Sequence, residues 1–460
     1  MTQVDPGIPN VELERFRREF EHDLTNTLAM NAVTSVGAHN AALDSSKANR
    51  VSHHFLNTLK PPGIRATNQA SSGRCWMFAG LNLYRYLMIR GLGLERFEYS
   101  ETYLFFYDKL ERANCTIQYF IDNPEARAGD REVDIMLSDY YGDGGYWNFF
   151  VNLVDKYGLV PKDCMEETFQ SGWTDDMNVI LKGHIISCVN AIIKTNRSKR
   201  PNKTTIRRFK EQTMDRVYGC LVKFLGQPPT TFDWYFEDAN HKSQVIKGLT
   251  PKAFYGMVKG VDVKDFVVLV DIPCKKYYQT YKIRNQTNMV GGEDCVVLNL
   301  PIHELKKYAS LSITKGLPVW FAGDVGKGFG YHKSVLDEEI YNTDLLFGGQ
   351  IPWTKGEKLE LGYTQANHAM TLVGVNVDEK GKTDTWQVEN SWGYLDHETP
   401  GLDGFLCMSN QWFEDNLVQI AVHKQFLSRN VLKALETEPV VLDPWDYMAP
   451  AVWVKGVTKP

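Results

Sequence analysis

Asn68-Gln69-Ala70-Ser71-Ser72-Gly73-Arg74-Cys75-Trp76-Met77-Phe78-Ala79-Gly80 is the stretch on which the reading of this chain turns. A polar, turn-forming run stops at a cysteine. An apolar helical pattern begins at once, with Trp76, Phe78, Ala79, Leu81, Leu83, Tyr84, Leu87 and Met88. Ser72 or Gly73 is expected to cap that helix, with Cys75 in its first turn. Free N–H groups and the positive end of the helix dipole would favour a thiolate there. Gln69 stands one tight loop upstream, where its side-chain amide could serve an oxyanion formed at the same spot. A lone cysteine under a helix cap is more often structural, because free cysteine is among the most buried residue types. Gln69 followed by Gly73-Arg74-Cys75-Trp76 favours a nucleophile, and that reading requires a histidine and a partner for it downstream.

Both are present. Asn367-His368-Ala369-Met370-Thr371-Leu372-Val373-Gly374-Val375 places His368 at the start of an apolar strand. Trp386-Gln387-Val388-Glu389-Asn390-Ser391-Trp392-Gly393 ends a second strand at Asn390. Alone, each is an ordinary strand-end residue. As antiparallel neighbours they would bring His368 and Asn390 side by side. His368 would then take the thiol proton, Asn390 would fix the imidazole tautomer, and Trp392 would cover the pair. Asp143-Gly144-Gly145-Tyr146-Trp147 precedes another helical run. Two glycines allow close backbone approach, so Gly144 and Gly145 are candidates to line a substrate cleft; a plain tight turn is the alternative.

The remaining chain reads as helices first and strands later. Residues 10–60 look helical and polar-faced, with Asn10 as a cap, and Pro61-Pro62-Gly63 ends that region. Ser100 opens a helix expected to run through Arg112. Met177–Lys194 and Ile206–Leu225 are amphipathic. Thr250-Pro251 starts a short helix. Phe266–Val270, Cys295–Asn299 and Pro318–Ala322 are strand candidates, with a helix over Pro301–Lys315. The glycine-rich run from Gly323 to Gly330 lacks the Lys-Ser/Thr of a phosphate loop and is expected to be a flexible loop near the cleft.

Composition narrows the class. At 460 residues the chain is long for a single core. A net charge of −5 selects neither a nucleic-acid nor a membrane partner. The first residues are polar and show no signal-peptide pattern, and no apolar run reads as long enough to cross a bilayer. The eight cysteines are scattered, without paired spacing, which fits free thiols in the cytoplasm and argues against structural zinc. Lys194, Arg197, Lys199, Arg200, Lys203, Arg207, Arg208 and Lys210 form a basic run without acids. Such runs bind phosphates or simply solvate a helical tip.

With Gln69, Cys75, His368 and Asn390 in that order, the sequence resembles the bleomycin hydrolase and aminopeptidase C family of the papain superfamily. The likeness runs from about residue 11 to about residue 448. It rests on Asn68–Met77, Ser100–Arg112, Asp143–Pro161, Asn288–Gly292, Val319–Lys327, His368–Thr371, Trp386–Gly393 and Gly404–Met408. Ordinary papain-like enzymes separate Cys and His by roughly 130–150 residues. The separation here is about twice that, which the family's large helical insertion accounts for.

The resemblance implies an α+β fold, a papain-like two-subdomain cysteine protease core with a large helical insertion. It implies an N-terminal hook segment (1–60), a helical subdomain with the nucleophile helix (61–165), and an oligomerising insertion (166–260). A β subdomain carrying His368 and Asn390 (261–435) and a C-terminal arm (436–460) follow. It implies Cys75, His368 and Asn390 as catalytic, Gln69 in the oxyanion hole, and no metal or cofactor. It also implies a homohexamer that removes N-terminal residues from peptide substrates and hydrolyses the bleomycin carboxamide and thiolactones. The family's arm ends near Ala451 to Trp453, whereas this chain continues to Pro460. A nucleic-acid-binding ring with secondary peptidase activity, motivated by the basic run, and another Cys/His acyl-transfer enzyme are the competing readings.

Overall fold

The computed structural model describes residues 7–138, 142–238, 240–330, 333–379, 381–394 and 402–449. The expected extension of the arm beyond 449 lies outside them. Two helices lead the chain, α1 (Asn10–His22) and α2 (Leu24–Val36). Asn10 is the first residue of α1 rather than its cap, which is Pro9. Neither helix buries any residue.

The centre is α3 (Cys75–Leu92), in which every residue from Cys75 to Ile89 is buried. A helix apolar on all sides belongs inside a protein. Here α3 lies between the other helices and the sheet. At Gly80 a Cβ would come within 2.9 Å of the Phe150 ring, so only glycine lets those elements meet. Gly93, at φ 62°, ends the helix and returns its N–H to the Ile89 carbonyl. The helix α4 (Glu101–Asp122) is capped by Ser100, as expected, but runs well past Arg112. The helix α5 (Trp147–Tyr157) packs on both.

The insertion carries α6 (Asp175–Asn196) and α7 (Lys203–Leu225), which pack on each other and on α4. By length and composition α6 could cross a bilayer, against the expectation that no run reaches that length. In this fold Met177, Leu181, Ile185, Cys188, Val189 and Ile192 are buried. The insertion is not wholly helical. An antiparallel hairpin, β1 (Phe232–Glu237) and β2 (Ser243–Leu249), follows α7. Its aromatics seal against Phe97 and Phe254, with Trp234 and Phe236 stacked at 4.1 Å.

The remaining strands form one large, mostly antiparallel sheet. Among the described residues it has twelve strands, of which nine are β3 (Phe266–Val270), β4 (Gln279–Ile283), β5 (Val296–Asn299), β6 (Val319–Gly323), β7 (His368–Val377), β8 (Thr383–Glu389), β9 (Phe405–Ser409), β10 (Leu417–His423) and β11 (Val440–Leu442); the other three are two-residue strands at Asn57–Thr58, Phe329–Gly330 and Val335–Leu336. The order of the nine is β11-β4-β5-β3-β10-β6-β7-β8-β9. The helix α8 (Ile302–Thr314) covers one face, and α3 crosses the other. Two bonds tie α3 to the sheet at its first turns: Trp320 Nε1 donates to the Trp76 carbonyl at 3.0 Å, and Thr371 Oγ1 to that of Ala79 at 3.0 Å.

Candidate active site

Arg74, not Ser72 or Gly73, occupies the N-cap position of α3, and no side chain caps it. Cys75 is therefore the first helical residue. Its neighbours across the cleft come from the sheet. Register pairs His368 with Gly323, and Thr371 with Glu389. A Cβ on Gly323 would lie 2.7 Å from the Asn416 carbonyl, so glycine is required where the strands close under His368. The same pairing places Asn390, just past the end of β8, beside the start of β7.

His368 and Asn390 form the bond expected of them: Nε2 and Oδ1 are 2.7 Å apart, both side chains buried. The tautomer follows from one more contact. Asn390 Oδ1 also accepts the Ser391 N–H at 2.8 Å, so the atom facing the ring is the oxygen. An oxygen only accepts, so His368 donates from Nε2. A neutral ring then has a free lone pair at Nδ1, and that atom is buried with no hydrogen-bond partner. Trp392 lies over the imidazole, with ring centroids 4.9 Å apart, and Phe329 meets Trp392 edge-on. Together they keep water from the His368–Asn390 bond.

The thiol is pulled in two directions. Burial pushes Cys75 up to about 11. The N–H groups of Ala369, Trp76 and Cys75 act the other way, and the charge of Asp143 adds to the rise. The Ala369 contact places the sulfur at the start of β7, one residue from His368. Burial also drives His368 down to about 4, against the bond to Asn390. The helix end was expected to favour a thiolate. Desolvation wins: it favours the neutral thiol and the neutral imidazole.

Gln69 sits in a second ladder. Its N–H donates to the Ser391 carbonyl at 2.8 Å, and Gly393 N–H to the Thr67 carbonyl at 2.8 Å. The side chain is buried and held at both ends: Nε2 donates to the Ser72 carbonyl at 2.6 Å, and Oε1 accepts from Ser391 Oγ at 2.5 Å. An amide nitrogen carries two N–H groups, and Ser72 uses one. Ala70, next in the loop, takes a φ of 51°, steadied by Asn68 Oδ1 accepting its N–H.

Gly144 and Gly145 lie beside the nucleophile loop, and packing gives a reason for glycine there. A Cβ at Gly145 would strike the Trp76 indole at 2.4 Å, so packing alone demands glycine. The Gly144 carbonyl accepts from Arg112 at 2.5 Å. The preceding Asp143 anchors this wall. Its carboxylate accepts the Gly73 N–H at 3.2 Å and pairs with buried Lys109 at 2.8 Å. Thr174 and Asn178 donate to it as well. Burial alone would raise this carboxyl; Lys109 and these donors hold it well below the usual range. Sequence reading missed Lys109, Ser391 and the anchoring role of Asp143. The only signal was Asp143 itself, ahead of two glycines.

The chain's last described stretch comes to the same wall. Asp446 pairs with Lys275 at 2.9 Å, and the carbonyl of fully buried Ala449 accepts from Tyr146 Oη at 2.8 Å. All eight cysteines are free, as expected. Among the described residues, Glu95, Glu237 and His241 are grouped closely enough to hold a metal ion, and all three are exposed on the insertion side, away from Cys75.

Comparison with known proteins agrees with this geometry. The chain is 33% identical to an aminopeptidase C of Listeria monocytogenes, over 95% of its own length and 97% of the relative's. It is 34% identical to human bleomycin hydrolase, over 96% and 98%. The crystal structure of PepW from a Lactobacillus superposes with a TM-score of 0.92 at 30% identity, covering 97% of this chain and 99% of that one. The Peptidase C1-like family matches residues 7–449, and the chain, with its papain-like α+β core, belongs to that family.

Proposed function

We propose that this chain is a cysteine aminopeptidase of the bleomycin hydrolase type, with Cys75 as nucleophile, His368 as base and then acid, and Asn390 as the group that fixes the ring. The observation that carries the reading is the asymmetry of His368: one nitrogen committed to Asn390, the other buried with no hydrogen-bond partner, one residue from the Ala369 N–H that meets the thiol. His368 Nδ1 takes the Cys75 proton as sulfur bonds to the substrate carbonyl. Gln69 and the Cys75 N–H receive the oxyanion. The C–N bond breaks, and His368 returns the proton to the leaving amine. Water, deprotonated by His368, then cleaves the thioester and regenerates the thiol. The same steps hydrolyse a carboxamide, such as that of bleomycin, with ammonia leaving; with a thiolactone the C–S bond breaks instead and His368 protonates the leaving thiolate.

Restriction to N-terminal residues is assigned to the arm. Ala449, the last described residue, accepts from Tyr146 beside Gly144-Gly145. A carboxylate there would pair with a free substrate ammonium and block longer binding. A homohexamer is proposed from the exposed apolar side chains of α1 and α2 and of the insertion, among them Phe16, Phe20, Leu28 and Val179. Reaction location is proposed as the cytoplasm, consistent with eight free thiols.

The test is to incubate the protein with matched free and N-acetylated peptides and sequence the products. Stepwise loss from the free peptide alone is expected. Internal cleavage, or equal attack on both, would overturn the aminopeptidase reading.

A further inference from the structure

The residue before the nucleophile is an arginine whose side chain is wholly buried. Arg74 Nη1 and Nη2 donate to the two carboxylate oxygens of Glu167 at 3.0 and 2.7 Å. The guanidinium lies 5.0 Å from the centroids of both Phe78 and Phe105. Glu167 also accepts from Thr102 at 2.9 Å and from Ser171 at 2.6 Å. Burial would raise the Glu167 carboxyl, but Arg74 and these donors bring it down to about 2, so the pair stays charged. A buried ion pair adds little net stability, because desolvation offsets attraction. What it fixes is orientation.

The orientation leads to the oxyanion donor. Arg74 Nε donates to Ser72 Oγ at 2.9 Å. Ser72 Oγ donates to the Gln69 carbonyl at 2.6 Å, and the Ser72 carbonyl accepts from Gln69 Nε2 at 2.6 Å. Ser71 N–H is held by the Gly172 carbonyl at 2.9 Å, one residue from Ser171. Every bond from Glu167 to the Gln69 amide thus has named partners.

We propose that Arg74, clamped by Glu167, is a positioning residue that acts through Ser72 to set the direction of the Gln69 amide. The inference rests on Gln69 serving the oxyanion, as proposed above. Arg74 does not touch substrate. Lysine could not replace it, because a single ammonium cannot grip both oxygens of Glu167 and reach Ser72 as well. The start of the insertion, where Glu167 and Ser171 lie, thereby governs chemistry in the core.

The experiment uses the full chain with Arg74→Lys, Glu167→Gln and Ser72→Ala. It measures kcat and KM on a free dipeptide amide, affinity for an amino-acid aldehyde, and Tm. Rates are normalised to thiol that the aldehyde can titrate. A small misplacement at a reacting centre costs up to about 100-fold in rate. Expected is a fall in kcat of about 10- to 100-fold with KM within about twofold, and a matching loss of aldehyde affinity. Ser72→Ala, which leaves the ion pair intact, should fall in the same direction with Tm nearly unchanged. Folded variants with wild-type kcat and aldehyde affinity would overturn the proposal. So would a Ser72→Ala enzyme that behaves as wild type. A wild-type protein that binds the aldehyde but cleaves no free peptide would sink the aminopeptidase reading instead, while the aldehyde series would still judge Arg74.

Discussion

The two ends of helical structure in this chain could hardly be placed more differently. The N-terminus of α3 is buried and bonded on every side: Gly73 to Asp143, Arg74 to Glu167, Trp76 to Asp143 and to the sheet. The helices α1 and α2 bury nothing, and leave Val11, Phe16, Phe20, Leu24 and Leu28 in the open. One region is complete within a single chain, and the other has apolar surface that a single chain does not cover. Chemistry is therefore assigned to the first and assembly to the second, and substitutions should separate them.

The largest effect should come from the site. Cys75→Ala or His368→Ala should lower kcat by several orders of magnitude, on the order of 10³ or more, since each removes one of the two groups that exchange the working proton. Asn390→Ala should cost less, about 10- to 100-fold, because it removes orientation rather than the proton acceptor. Steady-state kinetics on one peptide amide ranks the three. Equal losses would mean that Asn390 does more than hold the ring.

The clamp of the cleft wall should show first in stability. Lys109→Met leaves the Asp143 carboxylate buried without its cation, and such a loss typically costs about 3–5 kcal/mol. Chemical denaturation measures it. A change below about 1 kcal/mol would contradict the burial of that pair.

The pH profile is next. Cys75 and His368 titrate as a pair that holds one working proton. With His368 driven down to about 4 and Cys75 up to about 11, that one-proton state spans the interval between. Below it His368 is charged and cannot act as base. Above it the pair has no proton for the leaving amine. The rate should therefore form a broad plateau that falls at both ends, for kcat/KM in the free enzyme. A narrow bell centred near neutrality would contradict the prediction.

The smallest effect on chemistry should come from α1. Phe16→Ser with Phe20→Ser removes exposed surface, so the chain's own stability should move by no more than about 0.5 kcal/mol. Turnover should stay within about twofold. Light scattering should instead report a mass below six chains. An unchanged hexamer would remove α1 from the proposed contacts.

Much of this was legible from residues near one another in sequence. Cys75 announces itself because a polar loop meets a predominantly apolar helix. His368 and Asn390 do so because one opens an apolar strand and the other closes the next. The hairpin after α7 also carried a signal, since Phe232, Trp234 and Phe236 alternate at strand period, but the helices before it masked the change. The rest depends on contacts far apart along the chain. Gln69 and Ser391 are 322 residues apart, and Arg74 and Glu167 are 93 apart. A lone Glu167 or Lys109 has no local pattern to mark it. Likewise nothing near Gly145 in sequence marks the Trp76 ring that packs against it.

The central claim is that Cys75 itself attacks the carbonyl, and acid quenching tests it most directly. The protein is mixed with a free-amine amino-acid ester, quenched within a turnover and digested. Mass spectrometry then locates any added acyl group. The account predicts an acyl group on the Cys75 peptide, absent in Cys75→Ala, whose turnover is also lost. Undiminished turnover in Cys75→Ala, or acylation of a different cysteine in an active enzyme, would contradict it.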